Sequence, residues 1–199
     1  MQIDILSLLS GFDKARDHET GTAFFRTHVP WVAPFAYLHI IFKPAPFDAL
    51  SRTAKTLEMP LSLTEFLQAQ NGAILFSGAV SIYGVHRPGQ LFMREDPDFV
   101  LPFNIEDENS NWPPVDRARF LSFAGYGFDG SSVCIDRNDS QIYLFQRGKQ
   151  ALSAAPAYSW PNINVWIISE ITRLTALFDR RGKRLVDEAQ TLPSVNPLS

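Results

Sequence analysis

The chain has 199 residues, 45 % hydrophobic and 20 % charged, with a formal net charge of −3 and a pI near 5.8. These values exclude a fully disordered chain and run against a generic nucleic-acid binder with a basic face, while 16 Phe supply enough aromatic mass for one sizeable core. The single cysteine, Cys134, excludes an internal disulfide framework and suits a reducing compartment.

The opening stretch MQIDILSLLSGFDKARDHE lacks the basic start of a secretory signal, and Asp4 interrupts its apolar run. No apolar stretch approaches the roughly 20 residues that span a bilayer, so a cytoplasmic protein with no membrane association is expected. Ile3, Leu6, Leu9 and Phe12 lie near helical spacing and predict a short helix over 2–12. Residues 13–30 carry a charged patch (Asp13, Lys14, Arg16, Asp17, Glu19) and no clear period. A strand is expected over 35–42, followed by a boundary at Pro44 and Pro46.

Phe47, Leu50, Ala54 and Leu57 predict a second helix, with Asp48 near its start and Lys55 near its end, the order that suits the helix dipole. After Pro60, Leu63, Phe66 and Leu67 predict a third. Ser62 is its expected N-cap, Glu65 completes a capping-box pattern, and Asn71-Gly72 is its expected stop. Residues 73–76 and 80–83 then read as short strands, and Gly84 permits close backbone approach.

From Glu95 to Asp116 seven carboxylates occur with no Lys or Arg between them: Glu95, Asp96, Asp98, Glu106, Asp107, Glu108 and Asp116. A short helix is expected over 104–111. One reading of this segment is a solvated acidic loop. The other is an acidic docking surface that steers a basic partner, with Trp112 as an aromatic anchor.

Residues 119–124, 132–136 and 141–146 alternate and predict an antiparallel meander. The turn Gly125-Tyr126-Gly127-Phe128-Asp129-Gly130 fits G-x-G-x-x-G, but Ser131 to Asp136 continue as a strand where a dinucleotide site needs a helix. A kinase-type loop fails too, because no lysine occurs between Lys55 and Lys149. Gly125, Gly127 and Gly130 are therefore assigned, with Asn71, Gly72 and Gly84, to shaping the backbone. Tyr126, Phe128 and Asp129 join the candidate partner surface.

His18, His28, His39 and His86 form no ligand spacing, no G-x-S-x-G elbow occurs, and Cys134 sits mid-strand as a packed thiol. No catalytic residue, metal or cofactor is expected. Asn162 to Phe178 is the longest helical pattern, with Asn162 as N-cap. The basic cluster Arg180, Arg181, Lys183 and Arg184 follows it, and is read as complementing the helix end in preference to a nucleic-acid or membrane site.

These pieces together resemble the SUKH superfamily, which includes fungal regulators of cell-wall glucan synthesis and bacterial immunity proteins. The matching stretches are the helix ending at Asn71-Gly72 after Pro60, the run to Ile82-Tyr83-Gly84-Val85, the Phe120 to Gly130 strand and turn, the Val133 to Phe145 hairpin, and the closing helix with Trp166. The resemblance implies a single α+β domain, its sheet mixed but largely antiparallel with helices packed on it. Residues 45–178 would form the SUKH-like domain, 1–44 an N-terminal segment packed on it, and 179–199 a tail mobile at its end. It also implies a non-enzymatic protein that binds and neutralises a polymorphic toxin domain, here a basic one. Two alternatives stand beside it: a regulatory adaptor akin to the fungal members, and a small-molecule enzyme using a carboxylate pair within 95–129.

Overall fold

The computed structural model describes residues 3–87, 100–111, 116–147 and 155–193. Its strands lie side by side in the order in which the chain makes them, as one nine-stranded sheet. They are β1 (His18–Glu19), β2 (Ala23–His28), β3 (Tyr37–Phe42), β4 (Ala73–Leu75), β5 (Val80–Ile82), β6 (Phe120–Tyr126), β7 (Ser132–Asp136), β8 (Ile142–Phe145) and β9 (Tyr158–Trp160). Each pairs antiparallel with its neighbour. The helices are α1 (Ile5–Leu8), α2 (Phe47–Thr56), α3 (Leu61–Ala69), α4 (Ile105–Asn111) and α5 (Ile163–Thr175). The chain is thus a single α+β domain, and no described helix is long and apolar enough to cross a membrane.

Strand alternation sorts the side chains. Val80, Ile82, Leu121, Phe123, Val133, Ile135, Ile142 and Leu144 enter the main core with Ile5 and Leu9 of the N-terminal segment and Leu63, Leu67, Trp166, Ile167 and Leu174 of the helices. Trp166 stands edge-on to Phe123, with ring centroids 5.1 Å apart. Burying a large apolar side chain stabilises by about 1.5–3 kcal/mol, so this contact helps to hold α5 on the sheet. Asn162 caps α5 as expected, its Oδ1 accepting the Val165 N–H at 3.0 Å.

Residues 18–42 supply three strands of the same sheet. The ion pair Arg26–Asp17, 3.0 Å, and an Arg26 bond to the Leu6 carbonyl, 2.7 Å, fasten α1 to β2. At the other terminus, residues 179–193 fold back onto the domain. Phe178 bridges to Arg184, Glu188–Thr191 forms a 3-10 helix, and Arg173 donates to the Thr191 and Leu192 carbonyls. The expected tail is thus packed as far as Pro193, and residues 194–199 lie outside the described residues.

Two expected caps differ. Ser62 caps nothing: α3 starts at Leu61 behind Pro60, and the Ser62 hydroxyl is buried without a hydrogen-bond partner. Pro60 sets the helix entry through its own fixed φ of −57°. The stop falls one residue before Asn71, at Gln70, which is already extended. Asn71 has another task, described next.

Candidate functional site

The cleft with the most varied chemistry opens on the sheet face opposite the main core. Ser81 and Tyr83 come from β5 and the residue after it, Ser122 and Gly125 from β6, and Ser132 from β7, each alternating with a core residue. A bulge between Ser122 and Ala124 shifts the register, and so lets two β6 residues three apart face the same cleft. Phe103 and Glu108 of the α4 segment, Tyr126 at the end of β6, Gly127 and Gly130 of the β6–β7 turn, and Arg147 complete the lining of a space of about 190 Å³.

Two asparagines hold the walls, each clamping both backbone groups of one residue. Asn71 accepts the Val85 N–H at 2.7 Å and donates to the Val85 carbonyl at 2.9 Å. Asn109, on α4, accepts the Ser122 N–H at 3.0 Å and donates to its carbonyl at 2.7 Å, pairing the groups that the bulge would leave bare. Between the clamps, Gly84 lies against the α4 entry: its N–H meets the Phe103 carbonyl at 2.9 Å, and its carbonyl accepts from Ile105 at 2.8 Å. A side chain at Gly84 would strike the Asn71 carbonyl and the Pro102 ring, so glycine is required here.

The turn closes as a hairpin, with β7 leaving directly from Ser132. Asp129 accepts the Ser131 N–H at 2.8 Å and its hydroxyl at 2.6 Å, which pins the turn. Gly130 has φ +74°, and a side chain on Gly125 would strike the Tyr83 hydroxyl. These contacts are the physical reason for the glycines; the turn builds a wall of the cleft.

Electrostatically the cleft is mixed. Burial, and then neighbouring Asp107, push the Glu108 carboxyl above its ordinary range. Burial pushes the Tyr83 hydroxyl up, with the Glu108 charge adding to it. The Ser122 and Ser132 hydroxyls are 2.5 Å apart, and Ser132 lies 3.5 Å from the Cys134 sulfur. Cys134 is fully buried, and burial pushes its thiol up to about 12.

Of the acidic candidates, Glu106, Asp107 and Glu108 occupy the first turn of α4. Glu106 accepts from Thr53 at 2.5 Å and lies 3.9 Å from Arg52, which ties α4 to α2. Asp107 is exposed and accepts from Asn104 at 3.1 Å. Phe128 is exposed at the turn tip, whereas Tyr126 is 2 % exposed. Tyr126 lines the cleft and also belongs to the main core, where Glu170 is a neighbouring charge. Glu95, Asp96, Asp98 and Trp112 lie outside the described residues.

Among the described carboxylates Glu108 alone lines the cleft, so no facing pair is assembled from them. No three described His, Cys, Asp or Glu side chains gather as metal ligands. Sequence reasoning missed Ser81, Tyr83, Phe103, Ser122, Ser132 and Arg147. The available signal was the polar half of the alternation, Ser81 and Tyr83 between Val80, Ile82 and Val85. No family model, no curated protein and no solved structure matches the chain.

Proposed function

We propose that this chain is a non-enzymatic binding domain of immunity type, which neutralises a polymorphic toxin by holding a basic face of it against α4 and the cleft. One observation carries the reading. On a helix braced to α2 by Glu106, Glu108 lines the same cleft as exposed Phe103, 49 % accessible, next to exposed Asp107, and the cleft is walled by the turn bearing exposed Phe128, 48 %. Aromatic anchors at the centre and charges at the rim are the usual division of labour in a protein interface. The carboxylates raise the encounter rate with a basic partner, and the aromatics set the lifetime of the complex. Nuclease surfaces are basic because they bind phosphates, which makes such a toxin a fitting occupant.

The test is to purify the chain and the toxin domain encoded beside its gene, then measure toxin activity and binding heat at stoichiometric ratio. Inhibition that Phe128→Ser weakens, and that Asp107→Lys slows in its association phase, is the expected result. A toxin that stays fully active and unbound at excess of this chain overturns the reading.

A further inference from the structure

We propose that the β2–β3 loop, with the C-terminal turn packed beside it, docks on an anionic lipid surface. The loop presents Trp31 at 50 % exposure, Val32 at 60 % and Phe35 at 86 %. It is built, not slack. Val29 donates to the Ala36 carbonyl at 2.9 Å, Val32 to Val29 at 2.9 Å, Ala36 to Ala33 at 3.0 Å, and the His28 ring bonds the Pro34 carbonyl at 2.9 Å. An ordered turn that holds three large apolar side chains outward marks a contact surface.

The fold rings this tip with cations from distant parts of the chain. Arg16 and Arg181 share one depression with Trp31, and Arg181 and Lys183 share the next. Arg180 and Arg184 flank them in the same turn, and all five are exposed. Gly182 brings that turn in. It has φ +84°, and a side chain on it would lie 2.9 Å from Val29 and 3.0 Å from Leu38. The local acids do not balance the patch. Asp13 and Asp179 share these depressions and Glu188 pairs with Arg184 at 3.4 Å, so the five cations Arg16, Arg180, Arg181, Lys183 and Arg184 face three carboxylates and stay in excess. On a chain of net charge −3, this pole has the opposite sign.

The chemistry favours lipid over nucleic acid or an acidic protein. Tryptophan settles at headgroup depth, Val32 and Phe35 suit the acyl boundary, and Lys and Arg meet lipid phosphates. Val32 offers no π-face on which a base could stack.

Vesicle co-sedimentation of the full chain tests this, with phosphatidylcholine alone and with phosphatidylcholine and phosphatidylserine at roughly 7:3. Binding to the anionic vesicles only, weakened by high salt, is expected. Arg181→Gln with Lys183→Gln should lower affinity about thirtyfold. Phe35→Ser should lower it about tenfold, with unchanged circular dichroism because the site is exposed. Equal binding to neutral vesicles, no vesicle binding, or binding indifferent to Phe35→Ser overturns the proposal. So does tight binding of a fluorescein-labelled oligonucleotide without vesicle binding. The toxin assay uses other residues, so either proposal can fail alone.

Discussion

Replacing Asn71 with alanine should cost the domain more than any surface change. The side chain is 7 % exposed and satisfies both backbone groups of Val85, itself 1 % exposed. Once it is truncated, neither group can reach water or another strand. A buried polar group left without a partner costs about 1–3 kcal/mol, so the two together cost about 2–6 kcal/mol. Domains are typically stable by only about 5–15 kcal/mol. In a chain of this length each kcal/mol moves the midpoint by about 2–4 °C, so a fall of about 4–24 °C is expected. Calorimetry and urea unfolding would measure it, with an unchanged m-value showing that the denatured state is not the cause. Asn71→Asp keeps the acceptor but sets a carboxylate oxygen against the Val85 carbonyl, and should not restore stability. An Asn71→Ala protein within about 0.5 kcal/mol of the parent would refute the clamp as the device that holds the cleft wall.

His39 is buried between Phe12 and Phe76, and burial first, then the Arg26 charge, lowers its pKa from 6.5 to about 3. The unfolded chain therefore binds the extra proton over that interval, and stability should fall by about 1.4 kcal/mol per unit as pH drops below 6.5. His39→Leu should remove that slope between about pH 6 and 5, above the range where ordinary carboxylates titrate. Arg173→Ala strands the Glu170 carboxylate, 5 % exposed, and releases the Thr191 and Leu192 carbonyls. A loss of about 3–5 kcal/mol and faster proteolysis within residues 188–193 are expected. Cys134, fully buried with its thiol pushed up to about 12, should resist a disulfide reagent in the native protein and react fully in denaturant.

Period was the most readable signal. The α5 stripe through Trp166 is legible because its buried positions fall at helical spacing, and β6 and β7 are legible because small polar and large apolar residues alternate in their sequence, although both are buried on both faces. β2 was not visible. Its residues AFFRTH are buried at four of six positions, and Thr27 at φ +63° breaks the alternation, so no period of two survives. β1 and β9, two and three residues long, are too short to carry any period. The hairpin turn was read correctly because Ser131 to Asp136 alternate after it. The cleft was hidden because its lining comes from separate segments, and only the β6 bulge brings Ser122 and Gly125 onto one wall.

The unbroken strand order has a consequence for how the molecule assembles. Because each strand pairs with its predecessor, the sheet can be laid down in chain order during synthesis, with two long closures, across α2 and α3 between β3 and β4 and across α4 between β5 and β6. The final clasp is different. The Asp13 N–H bonds the Arg180 carbonyl at 2.9 Å, joining segments far apart along the chain. Until that late contact forms, Val29 and Leu38 lack the Gly182 turn that covers them. A nascent chain truncated before Gly182 should therefore bind chaperones that recognise exposed apolar side chains, and the full-length chain should release them.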